Sequence, residues 1–192
     1  MPDREGVGRP RALGVVGLQN SGKTRLMRRM IEHFAVDGLL VAAIKHDAHA
    51  ADGDDWEKPG SDTALFASAG AVATVVAGGG QSLWRWRDDA SAEDARALVE
   101  RMARWGAMRG GMDLILVEGF KHSPLPKVAV VRTRDHLAWL ESAGLSQIRA
   151  VVGPADAPWL AGARWPVYDE DDVPGLCRDV WTRWSVPVDR MV

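Results

Sequence analysis

A chain of 192 residues with 46% hydrophobic and 26% charged content is long enough to bury one continuous core, and it is read as a single domain over residues 1–192. A net charge of -2 and a pI near 6.2 give no basic field for neutralising a nucleic-acid backbone, so a small-molecule ligand is expected and nucleic acid is not. Residues 1–12 carry no apolar signal segment, no apolar run approaches the ~20 residues of a membrane span, and the single Cys177 excludes an internal disulfide; a cytoplasmic protein away from membranes is expected.

Residues 12–17 read as a short buried strand, and the glycine-bearing segment after it leads into a helical pattern with Leu26, Met27, Met30, Ile31 and Phe34 on one face. Gly38 closes that helix, and the continuous apolar run 39–45 has the character of a strand buried on both faces of a parallel sheet. Residues 46–62 are polar, rich in Asp and Gly, and too long for an ordinary connector; they are read as a functional loop. A short helix follows at 63–69. Strands at 72–77 and 81–87 are joined by Gly78, Gly79 and Gly80, a hairpin signal that puts Trp84 and Trp86 on one side. Residues 89–91 can cap a helix running to Met108 with Ala95, Leu98, Val99, Met102 and Trp105 inward. Further strands are expected at 114–117, 128–131 and 148–152. The acidic run 169–172 suits the start of a helix that buries Val173, Leu176, Cys177, Val180, Trp181 and Trp184.

Gly17, Leu18, Gln19, Asn20, Ser21, Gly22, Lys23 and Thr24 follow the pattern in which two glycines let successive backbone N–H groups converge on an anion, at the positive end of the following helix. With a strand before it and a helix after it, this segment is a phosphate loop. The alternating elements then predict an α/β fold: a P-loop NTPase-like three-layer domain, with a mostly parallel sheet and an antiparallel hairpin extension. In such a loop Lys23 neutralises the β- and γ-phosphates and the Thr24 hydroxyl is a magnesium ligand. A second carboxylate is expected nearby, and the strand from Asp113 to Glu118 offers one at each end. Ligands of open parallel sheets bind beyond the carboxyl ends of the strands, which favours Glu118, to hold magnesium through water or to position an attacking water.

The only asparagine is Asn20, inside the loop, so the guanine-reading Asn-Lys-x-Asp pattern is absent. A carboxylate alone can accept from guanine N1–H and N2–H₂. Asp156, beyond a late strand, is therefore a candidate base reader, with a plain loop or cap aspartate as the alternative. No arginine finger is evident, and hydrolysis without one runs on the order of 10⁻⁴ to 10⁻² per second.

Four segments together resemble the MobB family of molybdopterin-guanine dinucleotide biosynthesis adapter proteins. They are the phosphate loop; Ile44, Lys45, His46 and His49; the run from Lys58 to Thr63 leading to Ala69, Gly70 and Ala71; and the stretch from Asp113 to His122 followed by Pro126, Lys127 and Arg132. The resemblance covers residues 13–156. It departs from the usual pattern at Leu18 to Ser21, where small residues are commoner, and in having fewer histidines around His46. It implies binding of GTP with Mg2+, slow hydrolysis at most, a homodimer, and assistance to the guanylyltransferase that joins GMP to molybdopterin, with molybdopterin itself a candidate ligand.

Lys45 and His46, just past the second strand and on the same edge as Gly22, are assigned to phosphate or partner-ligand contacts, and Lys121 and Arg132, also after strands, to an anionic pterin phosphate, with ordinary surface solubility as the alternative for the last two. The hairpin with Trp84 and Trp86 is either a dimer surface or a hairpin folded onto its own core. Two other classes use the same loop. A small-molecule kinase would need an arginine-rich lid, whereas Arg25, Arg28 and Arg29 lie on the outer face of the first helix; a nucleotide-gated metal chaperone would bind metal through His46, His49 and His122.

Overall fold

Side-chain alternation along one short strand sets the two faces of the main sheet. In β1 (Arg11–Val16), Leu13 and Val15 enter one apolar cluster, while Ala12 and Val16 enter two others on the opposite face. The computed structural model describes residues 9–46, 57–86 and 94–191. In chain order the further elements are α1 (Lys23–Val36), β2 (Val41–Lys45), α2 (Asp62–Ser68), β3 (Ala73–Gly78), β4 (Gln81–Trp86), α3 (Ala95–Ala107) and β5 (Leu114–Glu118). They continue with β6 (Lys127–Val130), α4 (Arg134–Ser142), β7 (Ile148–Gly153), β8 (Val167–Asp169), α5 (Val173–Asp179) and β9 (Val186–Pro187). The chain divides into two compact units, Met1–His46 with Glu93–Val192, and Asp47–Ala92. None of the described helices is long and apolar enough to cross a membrane.

The larger unit holds a seven-stranded sheet ordered β2-β5-β1-β6-β7-β8, all parallel, with the short β9 antiparallel to β1. Leu26, Met27, Met30 and Phe34 of α1 and Val173, Leu176 and Cys177 of α5 cover one face. Ala95 and Val99 of α3, then Leu137 and Leu140 of α4, cover the other. Helices on both faces of a parallel sheet make the expected three layers.

Several local expectations are corrected. The run 39–45 is an edge strand, not one buried on both faces: among the described residues β2 pairs only with β5, and of its own residues Ile44 alone is buried. Its apolar look comes from small Ala42 and Ala43, which need no covering layer. Trp105 is 44% exposed, whereas Ala95 and Val99 are buried and Leu98 and Met102 pack against the same cluster, as expected; Gly106 is buried as well. The helix starts from Asp94, whose carboxylate accepts from the Arg96 N–H at 2.8 Å; the expected cap at 89–91 lies outside the described residues. The α4 helix and the β8 strand have no counterpart in the sequence reading. Thr133 caps α4 by accepting from His136 N–H at 3.3 Å. After Asp179 the last helix widens into a π turn over Val180–Trp184, so Val180 is buried while Trp181 and Trp184 are only partly covered.

In the smaller unit, β3 and β4 form a two-stranded sheet of their own, with Gly78 opposite Gln81 and Trp84 and Trp86 opposite Val75 and Ala73. Gly79 and Gly80 have φ of 57° and 76°, the left-handed pair that a two-residue hairpin turn demands. Ser61 caps α2, accepting from Ala64 N–H at 3.3 Å, and Glu57 pairs with Arg85 of β4 at 2.9 Å.

The most deeply buried charged side chain among the described residues lies in the larger unit. Lys127, at the start of β6, is fully buried, and its ammonium donates to the carbonyls of Ser123 (2.5 Å), Leu125 (2.8 Å) and Ser146 (3.0 Å). A strand-start lysine here ties together two turns. Burial, aided by the charge of Arg149, pulls its pKa from 10.5 to about 8. Between those values the unfolded chain binds more protons than the folded one, so stability rises with pH through the window. Lys127→Met, which leaves three carbonyls short of a donor, is expected to cost about 2 kcal/mol at neutral pH in urea unfolding and to abolish the rise between pH 8 and 10.5.

Candidate functional site

The strands of a parallel sheet present their carboxyl ends at one edge, and there the loop after β1 turns into α1. The turn depends on backbone that only a few residues adopt readily. Gly17 has φ of 151°, Asn20 of 59° and Gly22 of 96°. A Cβ on Gly17 would stand 2.6 Å from Ser21 Oγ and 2.7 Å from the Val130 carbonyl, so glycine is required by space as well as by conformation. Ser21 is fully buried, and its Oγ has no hydrogen-bond partner. A buried hydroxyl left without a protein partner, in a loop whose glycine spacing suits an anion, fits a phosphate site. Lys23 lies over the loop, its ammonium donating to the Leu18 carbonyl at 2.6 Å. Desolvation lowers its pKa first; Glu118 opposes that, and the charges of Lys121 and Lys45 add to it.

Glu118 ends β5, and its side chain is 8% exposed. The Thr24 hydroxyl donates to Oε2 at 2.9 Å, and the Lys45 ammonium lies 3.3 Å from Oε1. Thus the carboxylate chosen on topology stands beside the hydroxyl of the phosphate loop. Asp113, at the other end of the strand, accepts from Leu40 N–H at 2.7 Å and tacks down the start of β2. Past Glu118, Gly119 (φ 96°) and Phe120 (φ 48°) reverse the chain. The His46 N–H donates to the Glu118 carbonyl at 2.9 Å, and the His46 ring stacks on Phe120 with centroids 4.2 Å apart.

The remaining candidates lie around this centre. Lys121 has its ammonium 5.0 Å from the centroid of Trp139. Arg132 follows β6, and its guanidinium lies 3.0–3.2 Å from where a Cβ on Gly22 would stand, so it borders the phosphate loop directly. It is 3.7 Å from Glu170, a carboxylate shared with Arg25 at 3.8 Å. Asp156 stands in an exposed turn after β7, at the same sheet edge. The carboxylate that the structure fixes there is Asp169, at the end of β8, which accepts from Ala155 N–H at 3.1 Å and Asp171 N–H at 2.9 Å. Those backbone donors hold its pKa below the usual aspartate value.

Phe120, Asp169 and Glu170 were absent from the sequence-derived site. The charge run 169–172 was the available signal for the two acids, read there only as a helix start; nothing in the sequence marked Phe120 as left-handed. His49 lies outside the described residues. Among the described residues no group of three or more His, Cys, Asp or Glu is placed to hold a metal ion. A magnesium held by one hydroxyl, one carboxylate, phosphates and water needs no such group.

The family model described as "Molybdopterin guanine dinucleotide synthesis protein B" matches residues 12–154. A probable molybdopterin-guanine dinucleotide biosynthesis adapter protein of Bacillus subtilis is 31% identical over 134 residues, spanning 70% of this chain and 72% of that one. The adapter protein of Escherichia coli is 33% identical over 120 residues, spanning 62% of this chain and 65%, just under two thirds, of that one. Among solved structures, Bacillus subtilis MobB superimposes with a TM-score of 0.68 at 26% identity, over 91% of this chain and 98% of that one. A MobB homologue from Bacillus stearothermophilus gives 0.61 at 29% identity, over 90% and 99%.

Gly17→Ala would drive a methyl group into Ser21 and Val130. The expected result is a loss of about 1–3 kcal/mol of unfolding free energy, measured by chemical denaturation.

Proposed function

The chain belongs to the family of molybdopterin guanine dinucleotide synthesis protein B, and from that membership and the site we propose that it is a GTP-binding adapter that assists the guanylyltransferase forming molybdopterin guanine dinucleotide. The observation that carries the nucleotide reading is the hydrogen bond from Thr24 to Glu118 at the mouth of the phosphate loop. It joins the two side chains suited to one divalent ion, beside a lysine and an unpartnered buried hydroxyl. Gly17 to Thr24 hold the phosphates through backbone N–H groups, with Asn20 and Ser21 shaping the loop and Lys23 opposing the β- and γ-charges. Thr24 and Glu118 hold magnesium, which when bound neutralises charge on the phosphate oxygens.

Glu118, within reach of the same region, also orders water there. No arginine finger is assigned. Hydrolysis is accordingly slow, and the bound nucleotide serves as a held ligand more than as fuel. Lys121 and Arg132 flank the loop as further cations for an anionic partner ligand such as molybdopterin. His46 and Phe120 present aromatic surface at the same edge. Asp156 is the proposed guanine reader, in a turn whose backbone Asp169 fixes. The exposed Trp84 and Trp86 hairpin is the proposed homodimer surface.

A magnesium-dependent titration of GTP against ATP tests the reading on wild type and on Lys23→Ala. GTP is expected to bind more tightly than ATP, and Lys23→Ala to weaken GTP by about 100-fold, since a charge-assisted contact to phosphate is lost. Equal affinity for both nucleotides would overturn the guanine assignment; unchanged affinity in Lys23→Ala would overturn the phosphate loop.

A further inference from the structure

Lys45 and Glu118 face each other at paired positions of neighbouring strands, the last pair in the β2–β5 register. The contact is set by backbone pairing, with the ammonium 3.3 Å from Glu118 Oε1. The two ends differ sharply in burial: the Glu118 side chain is 8% exposed and that of Lys45 60%. A carboxylate buried to that degree needs a cation or several donors. Lys45 supplies the cation and Thr24 a donor.

The same carboxylate is the group assigned above to magnesium, and this step rests on that assignment. An ammonium and a divalent ion that both touch one carboxylate repel each other over a few ångströms in a partly desolvated site. One must yield. Lys45 is the one able to do so, because more than half of its side chain is exposed and its head can return to water.

We infer that Lys45 is a built-in substitute cation: it holds Glu118 in place while no divalent ion is bound, and magnesium displaces it. Lys45 is thus a positioning residue that competes with the metal, in contrast to Lys23, whose charge is directed at the phosphates. The two roles predict opposite signs. Removing a phosphate ligand weakens nucleotide binding with or without metal, whereas removing a competitor tightens the metal and destabilises only the metal-free protein.

The test is a magnesium titration of GTP-saturated protein, together with thermal melts in EDTA and in magnesium with GTP, on wild type, Lys45→Met and Lys45→Arg. Lys45→Met is expected to bind magnesium roughly three- to fivefold more tightly, a size suited to a half-exposed ion pair. Its melting temperature should fall in EDTA and match wild type in magnesium with GTP, and Lys45→Arg should behave as wild type. Unchanged or weaker magnesium binding would overturn the inference, as would GTP binding in EDTA weakened as strongly as by Lys23→Ala. An equal fall in melting temperature in both buffers would also overturn it, leaving an ordinary structural pair. A wild type that binds no GTP in magnesium would overturn the nucleotide reading itself, and this inference with it, an outcome distinct from all the others.

Discussion

A carboxylate buried at the end of a central strand is costly unless donors converge on it, and Glu118 dictates what surrounds it. Its strand lies between β1 and β2, with Val15 opposite Glu118 on one side and Lys45 on the other. The Lys45 neighbour is an ammonium, and the β1 neighbour leads into the loop whose Thr24 returns to the same carboxylate. Two strands and one helix are therefore fixed relative to one another at the point where the loop must hold its shape. The apolar clusters on both sheet faces make the strands rigid enough to impose this register.

Around that centre the backbone is unusual in a consistent way. Asn20 and Phe120 adopt left-handed conformations without being glycine, at φ 59° and 48°, and Gly17, Gly22 and Gly119 fall in positive φ beside them. Such conformations cost on the order of 1 kcal/mol or more for a residue with a side chain and persist where surrounding packing over-determines them. Asn20 tolerates its position because a short polar side chain can bond locally. Phe120 has no such excuse, and what accompanies its conformation is the ring stack with His46. The His46 N–H continues the β2–β5 ladder onto the Glu118 carbonyl just before the reversal, so the left-handed turn begins where the site ends.

The turn at Gly17 to Thr24 was legible because its spacing carries a mechanism, and the position of Glu118 beside Thr24 because strand direction alone puts it, and not Asp113, at the loop's edge. The helix face of α1 was legible from period, and Leu26, Met27, Met30 and Phe34 are all buried. What sequence could not carry was strand order. A run of apolar residues looks the same at an edge as in the middle, which is why β2 was read as doubly buried. The α4 helix was missed since Leu137 and Leu140 are its only buried residues, too few to define a stripe. Lys127 shows the limit most clearly: nothing about a lysine before Val128 marks it as interior, and only the three-dimensional meeting of the Ser123, Leu125 and Ser146 carbonyls makes it so.

Charge arrangement gives the last constraint on what the site can hold. Lys45 and Lys121 both act electrostatically on Lys23, against the carboxylate of Glu118, in a partly desolvated region. Desolvation and mutual repulsion both work against keeping Lys23 protonated, and Glu118 offsets only part of this. The arrangement is self-consistent if a polyanion completes it, since each added negative charge relieves lysine repulsion. Arg132 extends the same logic to the other side of the loop. It leans on Gly22, where any side chain would crowd its guanidinium, and it shares Glu170 with Arg25 at distances of 3.7 and 3.8 Å, longer than a close ion pair. A guanidinium held that loosely beside a phosphate loop keeps donors for an incoming anion, whereas the arginine of a fast hydrolase must reach the transferring phosphoryl group itself. Cations set around the loop in this manner suit the holding of a polyanion.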